Sequence, residues 1–297
     1  MSRTGHHAPR HALDAELTPQ LPDLRVRNAM AAFYKSSDGY ASQQGTHSQA
    51  YFSRLLGVME AVLTKPDSSV LEVGAGSAAA LHRFLDVHRR ARGVAMELSP
   101  VSILAALHGG SPSLRAIAGN ALQLPFLDRS LDAVIAFEVI EHLPDVAAAL
   151  EEMLRVVRRP GHIIIGLPNH ASLWTPLEDG LRRRDRRAFG VERGHGAWRW
   201  WKRNAALAWR KRFSNNEEFL YREPILHVAA GGDADAVYYA APIDLLRFFQ
   251  RRGAKLSATS ARLRFGRAAR FLPVELQGST VMAWTVTDGT GSAGGRA

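Results

Sequence analysis

The amino-acid sequence predicts an α/β protein built on a doubly wound parallel sheet. Short apolar runs alternate with helical patterns through the first half of the chain, as expected when helices connect parallel strands. A glycine-rich turn follows the first apolar run, and polar residues follow several of the later ones. Because ligands bind beyond the carboxyl ends of the strands in such a sheet, these residues define the predicted ligand site.

Turn residues bound the elements of this predicted sheet. Strands are predicted at 70–73, 93–98, 114–118, 131–137 and 162–167, with helices at 77–87, 100–107 and 146–157 between them. Ser99 is predicted to cap the helix that opens with Pro100. An amphipathic helix at 242–252, ended by Gly253, precedes strand candidates at 255–263 and 279–287. These segments supply seven strands.

Composition restricts the chemistry that the chain can perform. The 297 residues are 46% hydrophobic and include no cysteine, which excludes disulfides, thiolate metal sites and cysteine nucleophiles. No apolar run approaches the roughly 18 residues that span a bilayer, and the first 20 residues lack the apolar core of a signal peptide. We therefore predict a soluble, cytoplasmic protein that relies on carboxylates, histidines, hydroxyls or a cofactor.

The predicted organisation is one domain preceded by a disordered tail. The tail covers residues 1–25 and the domain residues 26–297. Its parts are an N-terminal helical cap at 26–66, a cofactor-binding core at 68–170, a basic, tryptophan-rich insertion or lid at 171–235, and a C-terminal helix and strand pair at 236–297.

Charge is concentrated within the insertion. Residues 182–212 contain 12 Lys or Arg against Asp185 and Glu192, so their net charge of +10 equals that of the whole chain. Trp198, Trp201 and Trp209 recur on one helical face of this segment. A lid packed over an apolar substrate accounts for the pattern, and so does peripheral contact with an anionic membrane. Nucleic acid is less favoured, because no recognised RNA-binding motif accompanies the charge.

The glycine turn after the first strand predicts a nucleotide-cofactor site. Gly74 and Gly76 allow a sharp turn and a close approach to a ligand. Glu97 lies 23 positions beyond Gly74, at the end of the second strand, where an acid can accept hydrogen bonds from both ribose hydroxyls of an adenosine. The turn also satisfies a loose dinucleotide pattern, which leaves an NAD(P)-dependent oxidoreductase as an alternative.

Three ordered motifs carry a more specific resemblance. They are Val70-Leu71-Glu72-Val73-Gly74-Ala75-Gly76, Asn120-Ala121-Leu122-Gln123-Leu124-Pro125-Phe126, and residues 131–143, LDAVIAFEVIEHL. In these motifs the chain resembles class I S-adenosylmethionine-dependent methyltransferases, particularly the broad methyltransferase type 11 and quinone-pathway-like group. The resemblance covers about residues 68–170. It implies a Rossmann-like seven-stranded sheet with helices on both faces and a helical insertion after strand 5.

The resemblance also implies the cofactor, S-adenosylmethionine, and the residues that bind it. These are Glu72, Gly74, Ala75, Gly76, Glu97, Leu98, Asn120, Ala121, Phe137 and Glu138. Asn120 stands where the family commonly has an Asp that binds the adenine amino group, and its side-chain oxygen can accept the same bond. Glu72 is a candidate acceptor for the amino group of the methionine moiety.

The Glu138 to His142 segment holds the candidate catalytic residues, Glu138 and His142. Separations of three and four predict that Glu138, Glu141 and His142 share one helical face. A similar E-x-x-E-H sequence binds a divalent metal in quinone-pathway O-methyltransferases and small-RNA 2′-O-methyltransferases. The metal hypothesis therefore names Glu138, Glu141, His142 and His170, although a metal is not expected by default. A structural or acid/base role for His142 is the alternative.

The function predicted from these features is methyl transfer to a small or lipid-like organic acceptor, with O-methylation favoured. Tyr34, Tyr40, Tyr51 and Phe52, together with the insertion, are predicted to select that acceptor. The alternatives are the oxidoreductase, an RNA-binding homologue whose basic insertion is the functional surface, and a homologue that binds the cofactor without turnover.

Overall fold

The computed structural model describes residues 16–36, 49–108, 110–175, 187–188, 191–192, 197–214, 216–227, 233–261 and 277–288 of the chain. Its centre is a seven-stranded sheet in the order β3-β2-β1-β4-β5-β9-β8. The strands are β1 Ser69–Val73, β2 Arg92–Glu97, β3 Leu114–Ala118, β4 Leu131–Phe137, β5 Val157–Leu167, β8 Lys255–Thr259 and β9 Thr280–Val286. A separate pair, β6 Arg187–Ala188 and β7 Val191–Glu192, lies in the insertion.

The first five strands pair in parallel, and β9 lies antiparallel between β5 and β8. The sheet order reverses at β1, which pairs with β2 on one side and β4 on the other. This reversal is the switch point at which a doubly wound sheet opens a crevice for a ligand. The seven-stranded sheet predicted from the sequence is confirmed.

Helices cover both faces of the sheet. They are α1 Leu24–Ser36, α2 Gln49–Val62, α3 Ala79–Val87, α4 Pro100–Leu107, α5 Val146–Val156, α6 Ala197–Phe213 and α7 Pro242–Arg251. Val134 packs into one buried cluster with α5 and α7, whereas the adjacent Ile135 packs into another with α2 and α3. Successive side chains of a strand point to opposite faces, so a strand buried on both faces is apolar throughout.

The start of β5 differs from the sequence prediction. The strand begins at Val157 rather than His162, and it continues through Pro160 and Gly161. Its register with β4 shifts between Leu131 and Ala133, so the proline lies in an irregular stretch of the ladder. Proline is tolerated there because the irregular stretch does not require its missing N–H.

Smaller differences appear at other boundaries. The helix predicted from residue 77 begins at Ala79, because Ala78 adopts a left-handed backbone conformation with φ of 52°. Ser99 occupies the predicted cap position of α4, but its side chain makes no capping hydrogen bond. Strand β8 ends at Thr259, and the predicted strand is wrong for residues 260–261, which are helical. Residues 262–263 lie outside the described part of the chain.

The prediction of a disordered tail over residues 1–25 is wrong for residues 16–25. Thr18 and Tyr221 exchange backbone hydrogen bonds, with N···O distances of 3.0 and 2.7 Å. Asp23 then caps α1 by accepting a bond from the Val26 N–H. Residues 1–15 and Tyr40 lie outside the described part of the chain.

The insertion after β5 packs with the residues that follow it into a small apolar cluster. Trp200 and Leu207 of α6 pack with Leu220, Ala236 and Tyr239. Among the described helices, none is long and apolar enough to cross a membrane. The helical insertion predicted after strand 5 is therefore present, and it is anchored by buried contacts.

Candidate active site

A cavity of about 990 Å³ opens at the carboxyl ends of β1, β2 and β4. All ten residues predicted to bind the cofactor line it: Glu72, Gly74, Ala75, Gly76, Glu97, Leu98, Asn120, Ala121, Phe137 and Glu138. His142 and Glu141 line it too, as do Tyr34 of α1 and Phe52 of α2. The fold thus gathers residues spread over more than a hundred positions into one space. Their individual roles stay predictions.

The glycine turn wraps tightly after β1. Gly74 and Gly76 have φ values of +63° and +53°, a region that side chains rarely adopt. A Cβ atom on Gly74 would lie 2.3 Å from Cγ2 of Val139, in the segment after β4. A glycine at position 74 is thus required by the close contact with Val139, and the predicted approach to the ligand stays a prediction.

Glu97 closes this turn from the end of β2. Its Oε1 accepts a hydrogen bond from the Gly76 N–H at 2.7 Å, and its Oε2 accepts one from Leu98 at 3.0 Å. Desolvation raises the pKa of Glu97, and the backbone donors oppose that shift. Each carboxylate oxygen has a second lone pair, so both can still accept a hydroxyl donor from the cavity.

Glu72 presents a buried carboxyl group to the same space. Its side chain is 4% exposed, and Oε2 accepts no hydrogen bond from the described residues. Burial raises the pKa of Glu72 to about 8, and the charge of Glu97 contributes in the same direction. A buried acceptor of this kind is costly unless a ligand supplies the donor. A cationic amino group would satisfy it and favour its ionised form.

Asn120 lies where the resemblance places the adenine contact. Its Oδ1 accepts a hydrogen bond from the Leu122 N–H at 3.0 Å, which tightens the turn after β3. The amide oxygen has a second lone pair, so it can still accept a bond from an adenine amino group. Asn120 therefore fits the predicted contact if its Oδ1 accepts hydrogen bonds from the Leu122 N–H and from the adenine amino group at the same time.

The prediction that Glu138, Glu141 and His142 share one helical face is wrong. Glu138 has φ of +55° and precedes the helical turn, a 3₁₀ segment that covers only Ile140–His142. The Tyr51 hydroxyl donates to Oε1 of Glu138 at 2.6 Å. The residues still meet in the cavity, because the turn folds back over the end of β4. Spacing alone does not distinguish this turn from a helix.

Glu141 is buried without a hydrogen-bond donor. Its side chain is 0% exposed, and neither carboxylate oxygen accepts a hydrogen bond from the described residues. The backbone carbonyl of the same residue accepts from Val237 and Tyr238, at 2.9 Å each. Burial raises the pKa of Glu141 well above its usual value, and the charges of Glu138 and Asp233 add to the effect.

His142 is held by two polar neighbours on one ring nitrogen. Nδ1 lies 3.1 Å from the Tyr34 hydroxyl and 3.3 Å from Oδ2 of Asp235. Because the Tyr34 hydroxyl donates its own proton to Asp235 at 2.9 Å, these contacts favour the tautomer with a proton on Nδ1. The basic lone pair then lies on Nε2, which is 3.8 Å from Oε1 of Glu141.

His170 does not join the predicted metal site. Its Nε2 lies 3.1 Å from Oδ2 of Asp233, and its Nδ1 accepts a bond from the Ala240 N–H at 3.2 Å. The two ring nitrogens therefore tie the segment after β5 to Asp233, near the end of the insertion, and to Ala240, just beyond it. Within the described residues, no three His, Asp or Glu side chains are arranged to hold a metal ion. The set of four ligands stays a prediction that this arrangement does not support.

Two acidic residues of the lining were not found by sequence reasoning. Asp233 and Asp235 reach the cavity from the end of the insertion, and an Asp-Ala-Asp run after two glycines was their only local signal. With them, the described lining contains six acids, Glu72, Glu97, Glu138, Glu141, Asp233 and Asp235, against one cation, Arg83. An acidic cavity suits a cationic cofactor and disfavours the diphosphate of a nicotinamide dinucleotide.

Comparison with known proteins agrees with this chemistry. Residues 71–165 match the methyltransferase domain family. Over these residues the chain is similar to S-adenosylmethionine-dependent methyltransferases. The similarity supports S-adenosylmethionine as the cofactor over a nicotinamide dinucleotide.

Two curated relatives and one solved structure illustrate the likeness. A probable S-adenosylmethionine-dependent methyltransferase of Mycolicibacterium smegmatis is 36% identical over 100 residues, which is 34% of this chain and 38% of the relative. The demethylmenaquinone methyltransferase of Renibacterium salmoninarum is 32% identical over 113 residues, covering 38% and 46%. The chain thus spans less than half the length of either relative.

The solved structure is the 1,6-didemethyltoxoflavin-N1-methyltransferase of Burkholderia thailandensis with bound 1,6-didemethyltoxoflavin and S-adenosylhomocysteine. It matches with a TM-score of 0.53 and 14% identity, over 95% of this chain and 99% of that one. At this identity the likeness shows the shared fold.

Proposed function

We propose that the protein transfers a methyl group from S-adenosylmethionine to a hydroxyl of a small or lipid-like organic acceptor. The observation that carries the proposal is the pairing of His142 with Tyr34 and Asp235 inside the cavity. It orients a ring nitrogen that can receive the proton of an acceptor hydroxyl. The Renibacterium relative, whose name specifies demethylmenaquinone as the acceptor, supports a lipid-like substrate.

The residues of the glycine turn and its neighbours fit the cofactor. When bound, S-adenosylmethionine supplies a methyl group that is activated by a sulfonium. Glu97 would accept the ribose hydroxyls, and Glu72 would accept the amino group of the methionine moiety. Asn120 would contact the adenine. Oε2 of Glu72 is buried without a hydrogen bond from the described residues, and the amino group of the methionine moiety would supply one.

In the proposed reaction, the protein mainly aligns the acceptor and manages its proton. Asp235 accepts from Tyr34 and holds His142 with its Nδ1 protonated. Nε2 then takes the acceptor proton as the oxygen becomes nucleophilic. The resulting imidazolium is stabilised by Asp235 at 3.3 Å. The acidic lining disfavours acceptors that carry carboxylates or phosphates.

The His142→Gln variant tests the proposed base. We expect kcat to fall by about 100-fold or more, because the variant keeps a polar side chain but loses the proton acceptor. Cofactor affinity should stay within about twofold, since the cofactor contacts lie elsewhere. The measurement is S-adenosylhomocysteine formation with a panel of small phenols, catechols and hydroquinones. His108→Gln, at an exposed histidine, is the control. Equal rates in the His142→Gln variant and the wild type would contradict the role.

Glu72 predicts a pH dependence of cofactor binding. Its pKa of about 8 means that it is largely protonated at pH 6, and a bound ammonium group would expel that proton. Affinity for S-adenosylhomocysteine should therefore rise as the pH increases from 6.0 to 7.5, by about 20-fold. Isothermal titration at several pH values measures this effect. The Glu72→Gln variant should bind more weakly and lose the rise; an unchanged slope would contradict the assignment.

Glu141 favours a second candidate, transfer to an amine. Both of its carboxylate oxygens are buried without hydrogen bonds from the described residues, and an amine N–H would supply donors to them. Matched pairs of aromatic alcohols and amines in the same assay distinguish the two. Turnover of the amines alone, and its loss in Glu141→Gln, would favour the amine over the hydroxyl.

A further inference from the structure

Helix α6 carries an aromatic stripe on its exposed side. Trp198, Trp209 and Phe213 are 61%, 71% and 68% exposed. Trp198 stacks on Trp201 with ring centroids 5.2 Å apart, and Trp209 meets Phe213 at 4.7 Å. The stripe from residue 198 to residue 213 extends about 22 Å along the helix. None of the described residues that line the cavity belongs to this helix, so the stripe does not form the predicted lid over it.

The opposite side of α6 is fastened to the domain. The Trp200 indole N–H donates to the Tyr239 hydroxyl at 3.0 Å, and Asn204 donates to the carbonyls of His170 and Ser172 at 2.9 and 2.8 Å. Lys211 is 1% exposed and bonds to both oxygens of Asp244. Rolling the helix to bury the stripe would break all of these contacts. The contacts of the buried side therefore fix the orientation of α6 and keep its aromatic side exposed to solvent.

Cations flank the stripe. Lys202 and Arg212 are exposed, and the Lys202 ammonium lies 5.1 Å above the Trp198 ring. The helix contains six Lys or Arg and no acid, although Lys211 is buried against Asp244 and Arg210 pairs with Glu218. Five more arginines stand at 182–187 in the sequence just before it. Exposed indoles among cations match the interface of an anionic bilayer, where rings enter the headgroup layer and cations meet phosphates.

We propose that α6 docks the protein on an anionic lipid surface through Trp198, Trp209 and Phe213, with Lys202 and Arg212 on the headgroups. Two features fit a lipid surface: the aromatic stripe that runs along one exposed face of the helix, and the absence of acid on the helix. Asn204 ties α6 to the segment directly after β5, at the edge of the sheet where the cavity opens.

Vesicle co-sedimentation of the full chain tests the proposal. Wild type should bind vesicles that contain phosphatidylglycerol and bind pure phosphatidylcholine vesicles more weakly. The double variant Trp198→Ser with Trp209→Ser should lose about tenfold or more in affinity for both. Lys202→Gln with Arg212→Gln should lose about tenfold for the anionic vesicles only. These side chains are exposed, so thermal unfolding should be unchanged and confirm that the variants fold.

Matched controls remove apolar and charged residues elsewhere. Leu104 and Leu127 are 60% and 81% exposed, and their double change to serine should leave vesicle binding intact. Arg90→Gln with Lys255→Gln removes two exposed cations outside α6. Equal losses in the controls and the α6 variants would overturn the proposal, as would absence of binding to anionic vesicles. Tighter binding to single-stranded RNA than to anionic vesicles, lost in the same α6 variants, would overturn it in favour of nucleic acid. The assay contains neither cofactor nor acceptor, so its outcome is independent of the proposed reaction.

Discussion

The Gly74→Val variant is expected to bind S-adenosylhomocysteine about 100-fold more weakly than the wild type, or about 2.7 kcal/mol. A branched side chain is strained at φ of +63°, and its Cβ would lie 2.3 and 2.9 Å from the two methyl carbons of Val139. Relieving that clash displaces Val139 and, with it, the 3₁₀ turn that carries Glu141 and His142. The variant should therefore lose cofactor affinity and turnover together, as isothermal titration and a rate assay measure.

Gly253→Val is the matched control for this experiment. Gly253 also has a positive φ, of +76°, but a Cβ there would meet nothing within 4 Å, and the residue is remote from the cavity lining. It should lose stability through backbone strain while keeping its affinity for the ligand. Equal affinity losses in both variants would mean that strain alone, rather than the contact with Val139, controls the site.

The largest expected effect on stability is at the buried ion pair of Lys211 and Asp244. The Lys211 Nζ atom lies 2.6 and 2.7 Å from the two carboxylate oxygens, and the side chains are 1% and 0% exposed. The carbonyl of Glu218 and the hydroxyl of Tyr238 complete the network. Removing the carboxylate leaves a buried charge uncompensated. Asp244→Ala should therefore lower the free energy of unfolding by about 3 to 5 kcal/mol.

Urea unfolding measures this loss, with Glu223→Ala as the control. Glu223 pairs with Arg25 across an exposed surface, where both side chains are at least 74% exposed, so its loss should cost less than about 1 kcal/mol. Both residues lie outside the cavity lining, and cofactor affinity of the folded protein should be retained in both variants. A loss at Asp244 no larger than that at Glu223 would mean that the buried pair contributes little beyond a surface contact.

Local patterns were sufficient to predict most of the sheet. Strands β3 and β4 occur at the predicted residues, because each is an apolar run bounded by turn residues. The start of β5 was missed because Pro160 and Gly161 ordinarily mark a strand boundary. Here a register shift against β4 accommodates them. The register shift depends on how β5 pairs with β4, and the local sequence pattern of β5 holds no information about that pairing.

The acceptor side of the cavity was less predictable than the cofactor side. The cofactor residues follow strands whose order the fold class fixes, so their meeting could be expected. Asp233 and Asp235 come from the far end of the insertion, almost a hundred positions after Glu138, and no local period connects them. The helix predicted through Glu138 failed for a related reason. Residue spacing does not reveal the left-handed backbone that interrupts it.

The central claim is that the acidic cavity binds an adenosyl-sulfur cofactor, and ligand titration tests it most directly. Isothermal titration of the full chain with S-adenosylmethionine, S-adenosylhomocysteine and NADH in parallel compares the two cofactor chemistries. We predict affinities on the order of micromolar for the two adenosyl-sulfur ligands and no binding of NADH. Binding of NADH alone, or failure of both adenosyl-sulfur ligands to bind, would contradict the account.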